Sequence, residues 1–197
     1  MQLIFWDERI KVRRLKDSSE DYSLFVTWLS DLDVCEYYEG RTKPFSYEMV
    51  LEKFQERAKG NDIVTVGIIE YESKAIGFVQ FYPTKPGEYH ESDVIDRTKF
   101  KISYGMDIVI GDKNYWNKGI GSHTIKLMSK YLFSEKKADI LLIAPQAWNK
   151  RAIYCYEKSG FRRLKIIKNM ELHDNEYKDG ILMAKTKYGL EAKTILL

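Results

Sequence analysis

Apolar and polar positions along the chain repeat either every two residues or every three to four, and the switches between these periods mark the elements. "RIKVRRL" (9–15) alternates apolar and polar residues, as a half-buried strand does. "DSSEDYSLFVTWLSD" (17–31) changes to a helical stripe of Leu24, Phe25, Trp28 and Leu29, with Asp17 as the expected N-cap and Glu20 three residues on. A second helix is expected from Ser46, where Phe45 can staple onto Val50 and Phe54 and Ala58 continue the face. "DIVTVGIIEY" and "KAIGFVQFY", split by a short polar turn, predict a hairpin. "KISYGMDIVI" (101–110) is the next strand. A helix over about 118–133 gathers Ile120, Thr124, Leu127, Met128, Tyr131 and Leu132 on one face. "ADILLIAP" (138–145) is too short for a buried helix and reads as an inner strand. "NKRAIYCYEKSG" (149–160) is a short helix closed by Gly160 in the left-handed position, and "FRRLKIIKN" and "GILMAKTK" pair as a closing hairpin. With no repeat, low-complexity tract or linker, the pattern predicts one mixed α/β domain over residues 1–197.

Composition narrows the class. The chain is 44% hydrophobic and 31% charged with a formal net charge of +3, a globular balance that implies neither a nucleic-acid nor a membrane partner. Cys35 and Cys155 lie far apart and form no CxxC, so a reduced, cytoplasmic protein is expected. The apolar run "ILLIA" is too short to span a bilayer, and "MQLIFWDERI" reaches acids too early for a signal peptide.

The segment "SYGMDIVIGDKNYWNKGIGS" (103–122) carries the most specific chemistry. It starts as a strand holding an acid, Asp107, and ends as a glycine turn opening a helix. A helix N-terminus leaves its first amides without intrahelical partners, and glycines let an anion approach that backbone. "KGIGS" therefore fits an anion cradle. It is neither a Walker loop, since Lys118 precedes Gly119, nor a Rossmann fingerprint, since Thr124 stands where a third glycine would be. The same glycines would equally permit close packing of strand against helix.

With the following inner strand and "NKRAIYCYEKSGFR", the sequence resembles the GNAT superfamily of acetyl-CoA-dependent N-acetyltransferases. Within it the chain is similar to the aminoglycoside 6′-N-acetyltransferases, most of all to the acetyltransferase half of the bifunctional acetyltransferase–phosphotransferase type. "TWLSD", "EYYEGR", "ISYGMD", "IGDKNYWNKGIG" and "LMAK" extend the likeness over nearly the whole chain. The resemblance implies a mixed central sheet with splayed parallel strands and flanking helices. It implies acetyl-CoA as donor, with no metal. Its phosphate loop falls on Trp116, Lys118, Gly119, Ile120, Gly121 and Ser122, whose amides would bind the CoA diphosphate. Trp116 replaces the Gln or Arg of many members. Asn149 and Ala152 would line the CoA arm. An amide near Ile108 would face the developing oxyanion.

Acetyl transfer to an amine needs a neutral nitrogen and a proton for the departing thiolate. A lysine-type amine titrates near ~10.4, so a base must take its proton. Asp107 is the candidate base, and the family's strand aspartate supports it; an ordinary strand-end acid paired with a basic neighbour is the other reading. Tyr156 matches the family tyrosine that can protonate the thiolate, although a tyrosine on an amphipathic helix is also a common core residue. His90, His123 and His173 share no metal spacing, and no GxSxG elbow is present.

"GEYHESDVID" (87–96) contains Glu88, Glu91, Asp93 and Asp96 and no lysine or arginine. It can attract a polycationic substrate or be simply a solvated acidic loop. Tyr38, in "CEYYEG", matches a family aromatic facing sugar rings. Against the family pattern, Ala144 stands where related enzymes carry an aspartate before the proline. The expected function is acetylation of the 6′-amine of aminoglycoside antibiotics by direct attack, by a monomer or homodimer. Other acceptor amines (a siderophore precursor, a polyamine, a protein N-terminus) or a non-catalytic acyl-CoA-binding module are the alternatives.

Overall fold

A computed structural model describes residues 2–96 and 98–189. Among them the chain forms eight strands and five α-helices, grouped in two compact units: Met1–Tyr82 with Asp107–Leu127, and Pro83–Met106 with Met128–Leu197.

In the first unit, β1 (Leu3–Trp6), β2 (Ile10–Arg14), β3 (Thr65–Tyr71) and β4 (Lys74–Pro83) run antiparallel in that order, with Val12 opposite Ile69 and Gly67 opposite Val79. Three helices accompany them: α1 (Ser19–Leu29), α2 (Leu32–Cys35) and α3 (Tyr47–Lys59). Of two adjacent cap-competent residues, Ser18 rather than Asp17 caps α1, by accepting from the Asp21 amide; Asp17 accepts the Tyr22 hydroxyl instead, at 2.6 Å. Ser46 caps α3 as expected, and its staple residues Phe45 and Val50 are both buried.

The helical stripe and the inward strand residues meet in one apolar cluster. Phe25 lies 4.5 Å from Phe54 and 4.7 Å from Phe78, with Trp28, Leu29, Val50 and Ile68 around them. Each such side chain contributes roughly 1.5–3 kcal/mol on burial. One ionic group is built into this unit. Buried Arg13 makes a two-pronged bond to buried Asp21, at 2.6 and 2.7 Å, while its Nε reaches Glu70 at 2.8 Å. Asp21 also accepts the Lys16 amide at 2.9 Å.

The far end of β5 (Ser103–Ile110) belongs to this unit from Asp107 onward. Beyond it, the amides of Gly111 and Asp112 donate to the Ile76 carbonyl at 2.8 and 3.0 Å. Gly77 is what allows β4 to come so close: a Cβ there would sit 2.1 Å from the Val109 carbonyl oxygen.

In the second unit, the start of β5 pairs parallel with β6 (Ile140–Ile143), from Ser103 opposite Ile140 to Gly105 opposite Leu142. β7 (Arg162–His173) and β8 (Glu176–Thr186) form an antiparallel hairpin, and β8 also pairs with β6. Helix α4 (Ile120–Ser134) starts in the first unit and ends in the second, and α5 (Lys150–Lys158) follows β6. Gly160, at φ +92°, closes α5 in the left-handed position anticipated for it. Ile95, Ile140, Leu142, Leu182 and Ala184 form this unit's apolar cluster, with Tyr89, Val94 and Ala144 packed against it. The mixed α/β architecture is as expected. Strand β1 and helix α2 are additions to it, and the closing hairpin runs several residues further than its apolar pattern suggested.

No helix among the described residues is long and apolar enough to cross a membrane.

Candidate active site

The turn between β5 and α4 is built by alternating constraints. Asp112 caps a single 3-10 turn (Lys113–Tyr115) and pairs with Lys74 at 2.7 Å. Trp116 donates its indole N–H to the Ile110 carbonyl at 2.6 Å and meets Tyr37 edge-on at 5.8 Å. Its side chain thus secures the exit of the strand, a structural use that accounts for a tryptophan at this position. Asn117 (φ +59°) and Gly119 (φ +76°) then turn the chain into α4, whose hydrogen-bonding begins with the His123 amide donating to Gly119 at 3.0 Å. A Cβ at Gly119 would meet no atom within 4 Å, so the backbone there faces open space. This fits the demand that a diphosphate reach main-chain amides.

A recess of about 130 Å³ lies beside the turn, lined by Arg9, Tyr71, Lys118, Gly119 and His123 among others. The Lys118 ammonium sits 5.7 Å from the Tyr115 ring centre. His123 contacts Asp7 at 2.5 Å. Burial works against the Asp7 charge, but hydrogen bonds from the Ile10 amide, His123 and the Arg9 amide hold its carboxyl below the ordinary range.

Glycine is required at 119 by its backbone angle, not by crowding. Gly119→Val should therefore place a branched side chain over the open amides and strain a left-handed φ, costing about 1–3 kcal/mol of stability. On the expectation that these amides hold a diphosphate, losing one or two such hydrogen bonds, at roughly 1.5–3 kcal/mol each, should raise the KM for acetyl-CoA at least tenfold. Acetyl-CoA titration beside thermal unfolding separates the two effects.

Asp107 is half-buried on β5, and the strand's two-residue alternation puts it on the same face as Val109, which packs on the first unit's core cluster. Burial first, then the charges of Glu39 and Asp107, push the Tyr38 phenol above its ordinary range, with Arg57 and a hydrogen bond to Gln80 acting the other way. The phenol is therefore protonated at any physiological pH. Phe78 meets the Tyr38 ring edge-on at 5.7 Å, and the Lys53 ammonium, paired with Glu39, lies 4.8 Å from its centre. Sequence reasoning singled out Tyr38 and Asp107 but not Arg57 or buried Gln80.

Ile108 sits beside Asp107 on β5, half-buried. Lys118 is exposed, Ile120 buried, and Gly121 and Ser122 partly exposed in the first turn of α4. The other candidates lie in the second unit. Asn149 caps α5 by accepting the Ala152 amide at 3.0 Å, so these two are joined by one bond. Tyr156 is buried on α5, its ring 6.1 Å from that of Phe161. The connection leading into α5 is held by a network the sequence did not suggest: Gln146 donates to Glu171 at 3.1 Å, pairs with His173 Nδ1 at 2.9 Å and accepts the Trp148 indole N–H.

The acidic segment 87–96 divides. Glu91 is fully buried, its carboxylate accepting the amides of Gly87 and Tyr89 at 2.9 and 3.0 Å, so it builds the loop. Exposed Glu88 accepts the Lys85 amide, Asp93 pairs with Lys165, and Asp96 accepts from Thr98 and pairs with Lys99. Those three carboxylates retain water-facing surface, and their cationic neighbours offset part of the local charge that the sequence alone suggests. Among the described residues no group of three or more His, Cys, Asp or Glu side chains could hold a metal ion.

Residues 17–169 match the family described as acetyltransferase (GNAT) domain. Aminoglycoside N(6′)-acetyltransferase type 1 from Klebsiella pneumoniae, and its namesake from Serratia marcescens, are each 23% identical over 148 residues, covering 74% of this chain and 71% of the relative. Among solved structures, an aminoglycoside acetyltransferase in complex with coenzyme A and kanamycin superposes with a TM-score of 0.72 at 21% identity, covering 91% of this chain and 95% of the other. A spermidine N-acetyltransferase from Vibrio cholerae, in complex with CoA and spermine, gives 0.71 at 16% identity, covering 92% and 98%.

Proposed function

The chain belongs to the GNAT acetyltransferase family, with acetyl-CoA as donor, and we propose that it acetylates the 6′-amine of aminoglycosides by direct transfer within one catalytic domain comprising both units. The observation that carries the reading is the open, left-handed turn at 117–119 set directly between the Asp107 strand and α4. Backbone amides over 118–122 hold the donor's diphosphate. Asp107 accepts the amine proton as the nitrogen attacks the acetyl carbon, and Tyr156 returns a proton to the leaving thiolate. An amide near Ile108 supports the oxyanion. Holding both reactants in place supplies much of the acceleration. Asn149 and Ala152 flank the donor's arm.

On the acceptor side, Tyr38 offers an aromatic face, and Glu88, Asp93 and Asp96 offer carboxylates to a polycation. Ala144 packs with an apolar cluster and contributes no charge, so the drug's ammonium groups depend on these other acids. The special likeness to the acetyltransferase half of the bifunctional enzyme rests on motif spelling.

The deciding assay is CoA release with paired kanamycin-type compounds that carry or lack the 6′-amine. Turnover should be confined to the members that carry it. Equal turnover of both would move the site of transfer; turnover only of a polyamine or peptide amine would replace the substrate class; tight acetyl-CoA binding with no turnover of any amine would favour a binding module.

A further inference from the structure

Gln146 and His173 have no part in the chemistry above, yet both are polar side chains, only 8% and 3% exposed. Gln146 lies in the connection from β6 to α5, and His173 ends β7. A buried amide has an oxygen that accepts and a nitrogen with two protons to donate, and each needs a partner. At Gln146 all are used. Its Oε1 accepts the Trp148 indole N–H, while Nε2 faces Glu171 Oε2 at 3.1 Å and His173 Nδ1 at 2.9 Å. The amide cannot be turned round. An indole nitrogen only donates and a carboxylate only accepts, so reversal would oppose donor to donor at Trp148 and acceptor to acceptor at Glu171.

The same bonds fix the histidine. Because the amide nitrogen donates, Nδ1 must accept, and the neutral ring carries its proton on Nε2. Nε2 is buried with no hydrogen-bond partner among the described residues. Asp174 Oδ2 stands 3.8 Å away, beyond hydrogen-bond reach. The other charged groups on the hairpin are Glu171, Glu176 across from His173, and Lys178 across from Glu171 and paired with Glu176. From the connection come only Gln146 and Trp148, whose ring centre is 5.8 Å from that of His173. A proton added from solvent to Nδ1 would face an amide nitrogen that also donates. The charged ring is then drawn to the carboxylates and repelled by Gln146.

We infer that His173 is a positioning residue: in its neutral form it holds Gln146, and through it Trp148 and the entry to α5, and on gaining a proton it lets them go. Main-chain bonds show what is connected. The Asn149 amide donates to the Gln146 carbonyl at 2.9 Å, and Asn149 in turn caps α5 at Ala152. Any bearing on catalysis rests on the reading that Asn149 and Ala152 flank the donor's arm.

The test is a pH titration by NMR of the parent chain, His173→Asn and Gln146→Glu, following the His173 ring nitrogens, the Trp148 indole N–H and the Ala152 amide. Asparagine keeps an acceptor toward Gln146 but does not titrate. Glutamate accepts from both Trp148 and a protonated Nδ1. In the parent, the neutral ring should show its proton on Nε2, and the indole and Ala152 signals should move at the His173 midpoint. Both signals should hold still over that range in His173→Asn, and the indole should hold still in Gln146→Glu. A neutral ring protonated on Nδ1, an indole signal blind to His173, or an unchanged indole response in Gln146→Glu overturns the inference. Should His173→Asn fail to fold, the other two chains still decide it. With the enzyme at work, KM for acetyl-CoA should rise about fivefold on the acid side of that midpoint in the parent and not in His173→Asn. Coupled NMR signals with a pH-independent KM would uphold the positioning role and remove Asn149 and Ala152 from the donor site.

Discussion

Asp107→Asn is expected to lower acetyl transfer by a factor of about 10²–10⁴ while leaving acetyl-CoA affinity within about twofold. Asparagine has nearly the same shape and keeps an oxygen and a nitrogen at the strand position, but it cannot take a proton. The amine must then lose its proton to water before attack, and at neutral pH only a small fraction of a primary amine is already neutral. The diphosphate grip proposed for residues 118–122 is formed by backbone and does not sense the substitution. The measurement is steady-state CoA release beside a direct acetyl-CoA titration, with thermal unfolding as control for the fold. A drop in turnover that disappears at high pH, where the free amine dominates, would identify proton removal as the lost step. Undiminished turnover at neutral pH would remove Asp107 from the mechanism.

Asp21→Ala should cost about 3 kcal/mol of stability, with no specific effect on the chemistry. The substitution leaves Arg13 buried with Glu70 as its remaining carboxylate partner and strips the Lys16 amide of its acceptor. Removal of one member of a buried, two-pronged pair exposes the other charge to a medium that solvates it poorly. For a chain of this size the loss corresponds to a fall of about 6–12 °C in Tm. An exposed pair provides the contrast. Lys113 bridges Asp31 and Asp33 at 2.9 and 2.7 Å on the surface, and Lys113→Ala should cost far less stability than Asp21→Ala. Denaturant unfolding of both variants tests the difference, and equal losses would mean that burial has no influence on either pair.

The parts of the protein that can be read from its sequence are those built from neighbouring residues. The strand–glycine turn–helix segment is one such part, because its alternation, its left-handed glycine and its acid all fall within twenty residues. The cap at Ser46 and the stop at Gly160 are likewise local. Four apolar letters in "LIFW" are too few to separate a strand from noise, so β1 was not foreseen. Asp17 and Ser18 are both competent caps, and only the fold chooses between them. The buried side-chain pairings are different in kind. Arg57 and Gln80 are 23 residues apart, and Gln146 and His173 27 apart, so no spacing within a helix or strand links them. One signal was nevertheless present: a glutamine in the middle of "GFVQFY", a polar residue where the strand pattern asks for an apolar one. Trp116 shows the reverse case. It departs from the family motif by the reading of the sequence alone, and the structure shows its indole bracing the strand exit.

Ala144 shares its cluster with Tyr89, Val94 and Ile95, all delivered by the segment that precedes β5. An aspartate introduced there alone would set a charge against this hydrocarbon. Strand end and covering segment are therefore coupled: a charge at position 144 calls for compensating changes in the segment that packs on it. Directed evolution aimed at position 144 would do better to diversify residues 89–95 in the same library.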